Sequence, residues 1–453
     1  MLFVVAVGTL LSAMAGSMVN LALPSIGRDL GVSIESSRWV VQAFLLAVAV
    51  LLLPAGRVGD LVGHGRVYLA GFALFGATSF LCGAAGSFPV LAAGRALQGV
   101  GGAMVMATGP ALLTTSFPST QRGRALGMLA TATYVGLMAG PPLAGAVVDW
   151  LSWRWVFYLM APVSTVVLAV GLAFLPRRGA SSPRGGFDWP GAAALVAGMP
   201  LVLLFLDRIR PESTPGAAGL VAGGAGAAAL VAFVLVERRS ASPLLDLGLF
   251  RSRVFTGAAA SALANYVALF GMILLVPFYL EEALGLSSSR AGLVLTAQPF
   301  AMAISASPAG WLSDRIGSRV LATGGMLGLA GGLLGLSTVG PETPEIVVAA
   351  WLGACGLGTG VFISPNSSAL MGAAPRSRQG TAGSLLAEAR ILGMLAGVAL
   401  ASTLFRAGGA QTGRAWTAVE LDALALVLRV SAAVAVVGAL LAALRGREDR
   451  SAR

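Results

Sequence analysis

The sequence predicts an all-α integral membrane protein with fourteen transmembrane helices. Of the 453 residues, 57% are hydrophobic and only 11% are charged, and the mean hydropathy is +0.85. Soluble proteins carry about 25% charged residues, so this composition excludes a soluble enzyme of two or three domains. The third observation is a series of long apolar runs that continues through the whole chain.

Fourteen apolar runs are long enough to cross a bilayer, which takes about 20 residues of helix. We expect each to be helical, because lipid offers backbone groups no hydrogen-bond partners. The first run is too long for the apolar part of a signal peptide, so we expect no cleavable leader. The spans cover approximately residues 2–23, 39–54, 67–85, 88–113, 125–148, 155–175, 190–206, 216–236, 254–280, 291–312, 320–339, 346–371, 381–405 and 423–444.

The arginines indicate how the spans are oriented. All 30 basic residues are arginines; with the N-terminus inside, 19 fall in inner loops and the tail, 8 in outer loops and 3 within spans. Positive charge concentrates on the cytoplasmic side, so both termini are expected to be cytoplasmic. The net charge of +11 is scattered between apolar runs, so we expect a bilayer and no nucleic acid as partner. The arginine-only, Ala- and Gly-rich chain favours a bacterial inner (plasma) membrane.

A loop motif occurs twice. Residues 56–66 after span 2 read GRVGDLVGHGR, and residues 310–319 after span 10 read GWLSDRIGSR, with equivalent positions 254 apart. We expect each loop to form a tight turn that gates a conformational change, although an ordinary capped loop is the alternative. The candidate gating residues are Gly56, Asp60, Gly63, Arg66, Gly310, Asp314 and Gly317.

The repeat pairs spans 2/10, 4/12 and 5/13, so its offset is eight spans rather than seven. We therefore expect an N-terminal six-helix bundle (1–175), an inserted helix pair with its flanking loops (176–253), and a C-terminal six-helix bundle with a basic tail (254–453). The small residues of span 5 favour close helix packing, and its prolines favour a hinge between the halves. This motif comprises Gly136, Gly140, Pro141, Pro142 and Gly145.

Together these motifs resemble the major facilitator superfamily, and within it the fourteen-span drug:proton antiporter (multidrug efflux) group. Residues 56–66 are similar to its loop motif, 95–102 to its arginine motif, 136–145 to its antiporter motif, and 18–24 to its span 1 motif. The resemblance implies a secondary active transporter that exports lipophilic small molecules by alternating access in exchange for protons. It implies no cofactor, no metal and a monomeric protein.

The chain departs from this group at four positions. Ala15 replaces the usual aspartate of span 1, Leu61 replaces a basic residue, Met160 replaces an asparagine, and Glu388 replaces an uncharged residue. The loss at Ala15 keeps a proton-independent facilitator, or an importer of a small amphiphile, open as the alternative. A membrane-embedded lipid-modifying enzyme is the less favoured reading, because no nucleophile–base set or metal site is visible.

Ionisable residues at membrane depth are costly, so each requires a reason. Our candidates for proton coupling are Arg95 in span 4, and Glu388 and Arg390 in span 13. Arg95 is a candidate to bind carbonyls that Pro141 and Pro142 leave free, or to favour ionisation of a nearby carboxylate and so gate its protonation. We expect Glu388 to replace the proton site lost from span 1. A static ion pair is the alternative for Glu388.

Polar and aromatic residues inside spans are candidates for lining a substrate cavity. Ordinary packing is the alternative for each of them. They are Asn20, Gln42, Gln98, Tyr134, Asn265, Tyr266, Gln298 and Asn366.

Overall fold

All regular secondary structure is helical in the residues that the computed structural model of this chain describes. These are residues 2–116, 122–175, 186–208, 216–240, 243–375, 378–409 and 416–446. The chain divides into two compact units, Met1–Asp246 and Leu247–Arg453. The division falls inside the second loop that flanks the expected insertion.

The first unit contains ten α-helices in its described residues. They are α1 (Leu2–Leu30), α2 (Ile34–Ser37), α3 (Trp39–Val62), α4 (His64–Gly83), α5 (Phe88–Ser116), α6 (Arg122–Trp150), α7 (Arg154–Tyr158), α8 (Met160–Phe174), α9 (Trp189–Arg208) and α10 (Ala217–Arg239).

The second unit contains six α-helices in its described residues, with a 3-10 turn at Leu247–Arg251 and a π-helical turn at Tyr279–Ala283. The α-helices are α11 (Arg253–Phe278), α12 (Ser288–Ile316), α13 (Ser318–Leu336), α14 (Glu345–Gly372), α15 (Gln379–Ala407) and α16 (Ala418–Leu444).

Twelve helices of the described chain are long and apolar enough to cross a membrane. They coincide with twelve of the fourteen expected spans. The remaining two expected spans are also helical, as α9 and α12. The apolar part of α9 is shorter, Trp189–Phe205, and α12 begins and ends in polar residues.

The predicted repeat is visible in the packing inside each unit. In the first unit α1 packs on α6, α5 packs on α3 and α4, and α4 packs on α8. In the second, α11 packs on α15, α14 packs on α12 and α13, and α13 packs on α16. The same pattern of helix contacts thus occurs in both units.

Both loop motifs are single-residue turns between long helices. Gly63 joins α3 to α4 with φ 105°, and Gly317 joins α12 to α13 with φ 95°. A side chain is strained at positive φ, which is why glycine occupies both positions. Each glycine N–H also closes the preceding helix, donating to Gly59 and Ser313 respectively at 2.9 Å.

The helices α9 and α10 pack against each other, and α9 also packs on α3. A small apolar core joins this pair to α3. Leu53 of α3, Ala192 of α9 and Leu244 are its buried members, and Phe187 and Leu245 pack against them. The pair is therefore attached to the helix that carries the first loop motif.

Candidate functional site

Glu388 lies in α15 and is buried, with 6% of its surface exposed. Its Oε2 has no hydrogen-bond partner among the described residues. Arg390, two positions on, donates instead to the hydroxyl of Ser367 in α14 at 3.0 Å. The two neighbouring charges of α15 therefore do not form an ion pair with each other.

Arg95 of α5 is held by uncharged partners. Its Nε donates to the carbonyl of Val40 in α3 at 2.7 Å, and its Nη1 donates to the side chain of Gln98. Gln98 in turn donates to Ser79 of α4 at 2.6 Å, and the Arg95 guanidinium lies 4.5 Å from the ring centre of Phe44. This network joins α3, α4 and α5.

The prediction that Arg95 binds carbonyls left free by Pro141 and Pro142 in α6 is wrong. The arginine bonds to α3 because Val40 presents its carbonyl across the tight α3–α5 contact. Gln98 was predicted to line a cavity, but it is 1% exposed, and its side chain is hydrogen-bonded to Arg95 and to Ser79.

In the first loop motif, charged side chains gather beside the turn. Asp60 is half-exposed, with Oδ2 3.8 Å from Nη1 of Arg57 and Oδ1 3.3 Å from Nε2 of His64. Arg57 also donates to the carbonyl of Gly186 at 3.0 Å, just before α9. Arg66 lies exposed on α4. The loop thus reaches the residues that precede the α9–α10 pair.

Glycines of the two loops occupy equivalent places on their helices. A Cβ at Gly56 of α3 would approach Ala107 of α5 at 3.8 Å, and one at Gly310 of α12 would approach Ser364 of α14 at 2.6 Å. Asp314 belongs to the second motif, but its side chain lies outside the described part of the structure.

The span 5 glycines allow α6 to approach α1 closely. A Cβ at Gly136 would overlap the carbonyl of Leu10, and one at Gly140 would overlap the hydroxyl of Ser17. Helix α6 runs on without a break through the rest of the motif, which consists of Pro141, Pro142 and Gly145.

The equivalent contact exists between α15 and α11. A Cβ at Gly393 would lie 2.6 Å from the carbonyl oxygen of Leu263, and one at Gly397 would lie 2.6 Å from that of Val267. Close packing explains these glycines in both units.

The remaining cavity candidates of the first unit are divided between three helices. Gln42 is buried in α3, whereas Asn20 of α1 and Tyr134 of α6 are partly exposed.

In the second unit, three candidates contact neighbouring side chains. Asn265 donates to the sulfur of Met326 at 3.3 Å, and Gln298 donates to that of Met302 at 2.8 Å. Tyr266 is partly exposed beside Phe270 on the same helix.

The fourth candidate of this unit, Asn366, belongs to a buried network that the sequence did not predict. Arg445 donates to Asn366 Oδ1 at 2.8 Å and to Ser318 Oγ at 2.5 Å, while Asn366 donates to the carbonyl of Ala258 at 2.9 Å. Arg445 follows an apolar run, so by sequence it resembles an ordinary inner-tail arginine. It instead joins α16 to α11, α13 and α14.

A second unpredicted cluster lies at the end of α1. Asp29 accepts hydrogen bonds from Trp153 Nε1 at 3.0 Å and from Arg154 Nη1 at 2.6 Å. The guanidinium of Arg154 lies 4.4 Å from the ring centre of Trp153 and also donates to the carbonyl of Ala85 at 3.3 Å. The cluster joins three helix ends of the first unit.

Known proteins of similar sequence are membrane transporters and resistance proteins. The riboflavin transporter RibZ of Clostridioides difficile is 32% identical, with 89% of this chain and 87% of RibZ covered. The puromycin resistance protein pur8 of Streptomyces alboniger is 33% identical (89% and 81% covered), and the multidrug resistance protein Stp of Mycobacterium tuberculosis H37Rv is 32% identical (86% and 72% covered).

A crystal structure of the peptide transporter POT shares the fold, with a TM-score of 0.72 at 15% identity over 98% of this chain and 93% of that one. Residues 5–236 and 254–453 match the model of the Major Facilitator Superfamily. These matches cover both units and identify a transporter rather than an enzyme. The chain belongs to the Major Facilitator Superfamily.

Proposed function

We propose that this protein is a secondary active exporter of lipophilic small molecules that works by alternating access and exchanges its substrate for protons. The observation that carries the proposal is the buried Glu388, whose Oε2 has no hydrogen-bond partner among the described residues. Relatives named as multidrug and puromycin resistance proteins support export of such molecules.

An ionised carboxylate without a partner is unfavourable in an apolar interior, whereas its protonated form costs far less. Glu388 can therefore act as the proton carrier: its carboxyl group holds a proton while it is buried and releases the proton when water reaches it. Among the described residues no salt bridge to Glu388 is present, and Arg390 is bonded to Ser367. In this proposal Glu388 takes the role of the acid that the group usually has at the position of Ala15, which is buried in α1.

The proposal includes a membrane topology. Fourteen spans cross a bacterial inner membrane, with α9 and α10 inserted between two six-helix halves at 1–175 and 254–453, and both termini cytoplasmic. The turns at Gly63 and Gly317 act as gating loops, and the α1–α6 and α11–α15 contacts act as hinges. We assign substrate contact to the partly exposed candidates, which are Asn20 and Tyr134 in the first unit and Tyr266 and Gln298 in the second, whereas Gln42 and Asn265 are buried. The protein acts as a monomer.

The test uses protein reconstituted in liposomes that contain a pH-sensitive dye. A panel of neutral, cationic and anionic amphiphiles is added without an imposed gradient, to the parent, to Glu388→Gln and to the matched control Glu342→Gln at an exposed acid. We expect substrate-triggered proton movement in the parent and in the control, and none in Glu388→Gln. Exchange of labelled for unlabelled substrate should survive in Glu388→Gln, which shows that the variant is folded.

Two results would contradict the proposal. Proton movement in Glu388→Gln equal to that in the parent would remove Glu388 from the coupling step. Substrate flux without proton movement in the parent would favour the second candidate, a proton-independent facilitator or importer, for which Ala15 is the specific observation. The riboflavin transporter among the relatives makes flavins useful members of the panel.

A further inference from the structure

Two acidic side chains lie buried together outside the site described above. Asp188 immediately precedes α9, and Glu237 lies near the end of α10; they are 6% and 4% exposed. Neither side chain forms a salt bridge with any described residue. A cavity of about 460 Å³ between the ends of the two helices is lined in part by Asp188 and Arg239.

In each carboxylate one oxygen accepts a hydrogen bond from a backbone N–H, and the other has no partner among the described residues. Asp188 Oδ1 accepts from the N–H of Gly191 at 2.8 Å, and Glu237 Oε2 accepts from the N–H of Leu245 at 2.9 Å. Asp188 Oδ2 and Glu237 Oε1 have no hydrogen-bond partner among the described residues.

These two unpaired oxygens converge on one point. A Cβ built on Gly191 would lie 2.9 Å from Glu237 Oε1 and 3.0 Å from Asp188 Oδ2. Glycine leaves this space open, so both oxygens lie against the same point of α9. Two anions held this close in a buried place repel each other strongly, and binding one positive charge removes the repulsion.

The helix dipoles act on the two acids in opposite directions. Asp188 caps the N-terminus of α9, where the helix dipole favours a negative charge, whereas Glu237 lies in the last turn of α10, where the dipole opposes one. The charged groups beside the pair are Arg57 on α3, Arg238 and Arg239 on α10, and Asp246, which follows Leu245. Of these, Arg239 shares the cavity with Asp188. Arg57 is bonded to Gly186 and lies near Asp60, and Arg238 and Arg239 are exposed.

We infer that Asp188 and Glu237 form a proton-binding site, in which one proton sits on Glu237 Oε1 and is directed at Asp188 Oδ2, either directly or through one water. Proton binding leaves the pair with a single negative charge. A divalent metal ion is disfavoured, because Ca²⁺ and Mg²⁺ take six or more oxygen ligands and only two unpaired carboxylate oxygens converge here.

The site connects to the first loop motif. Asp188 lies two residues beyond Gly186, which accepts from Arg57 of α3, and Ala192 of α9 packs on Leu53. A bound proton therefore holds α10 to the start of α9, and α9 to the helix that ends at the gating turn. Loss of the proton should loosen all three.

The test is infrared spectroscopy of the full chain in liposomes, titrated in D₂O. The carbonyl stretch of a protonated carboxyl group is separate from that of a carboxylate. All variants carry Glu388→Gln, which removes the other candidate proton site, so the outcome does not depend on the proposed function. We expect a carboxyl band at neutral pH that disappears in Glu237→Gln and persists in the matched control Glu342→Gln.

Asp188→Asn provides a second variant, because it keeps the helix cap and removes the facing charge. Its carboxyl band at neutral pH should be weaker than the parent's, because the negative charge that the proton neutralises is gone. No carboxyl band at neutral pH, or a band that persists in Glu237→Gln, would overturn the assignment. Stoichiometric binding of Mn²⁺ that requires Glu237 would also overturn it, in favour of a metal site.

Discussion

Replacing Gly397 with alanine should destabilise the second unit, because α15 approaches α11 more closely there than a methyl group allows. A Cβ at Gly397 would lie 2.6 Å from the carbonyl oxygen of Val267 and 3.0 Å from Cβ of Phe270. Both obstacles are fixed close to the α11 backbone, so neither can rotate away. The helices must separate to admit the added carbon.

The size of the effect follows from two opposing terms. Overpacking a tight interface costs about 1–3 kcal/mol, while alanine gains about 1 kcal/mol over glycine in helix propensity. Gly383 is the matched control, since it lies on the same helix with no atom within 4 Å of its built Cβ. Propensity cancels between the two variants, so Gly397→Ala should be about 1–3 kcal/mol less stable than Gly383→Ala.

The assay is thermal unfolding of the purified variants in the same detergent, in which the loss of the monodisperse peak measures the unfolded fraction. For a unit of roughly 200 residues, 1 kcal/mol corresponds to about 2–4 °C in Tm. Gly397→Ala should therefore unfold about 2–12 °C below Gly383→Ala. Equal midpoints, or a higher midpoint for Gly397→Ala, would refute the close approach of α15 to α11.

Three further changes test other features. Gly63→Ala forces a side chain to φ 105° and should cost about 1–2 kcal/mol in the free energy of unfolding, whereas Gly56→Ala in the same motif should be neutral. Arg445→Leu removes the buried charge-assisted hydrogen bonds to Asn366 and Ser318, each of about 1.5–3 kcal/mol, and should lower Tm by several degrees. Asp29→Asn removes the ion pair with the half-exposed Arg154; its cost, about 0–1 kcal/mol, should vanish in 1 M salt, as thermal melts at two salt concentrations will show.

Sequence was most informative where a residue type is required by backbone geometry alone. The spacing of Gly63 and Gly317 predicted two equivalent turns, and both adopt positive φ between helices. Gly136 and Gly140 predicted close packing, and they face the α1 backbone. At such positions few roles other than a turn or a close contact account for a glycine. The spacing of glycines therefore predicts local structure even when the contacting residue is unknown.

Sequence was least informative where the partner decides the role. Arg445 follows an apolar run, as do the loop arginines that indicate membrane orientation. It is nevertheless buried against Asn366 and Ser318, which are 79 and 127 positions away. Asp188 precedes α9 and Glu237 lies near the end of α10, so the two are far apart in the sequence, and no local pattern predicts that they meet. Long-range pairings of this kind depend on packing that hydropathy does not encode.

Three arginines that lie among the packed helices share a feature that bears on coupling. Arg95, Arg390 and Arg445 are each bonded to neutral oxygens: a carbonyl, a hydroxyl or an amide side chain. An arginine bonded in this way keeps its charge without fixing an acid as its counter-ion. Glu388 can therefore change protonation without breaking an ion pair inside its own unit.

In this arrangement Arg390 has a structural role, whereas Glu388 is the residue proposed to gain and lose a proton. If Arg390 instead held Glu388 as an anion, removing the arginine would free the acid to take a proton, and Arg390→Gln would change proton coupling as much as Glu388→Gln does. With Ser367 as its partner, Arg390→Gln should lower Tm but retain substrate-triggered proton movement. Loss of proton movement in a well-folded Arg390→Gln variant, measured in the same liposome assay, would show that the two charges act as one unit.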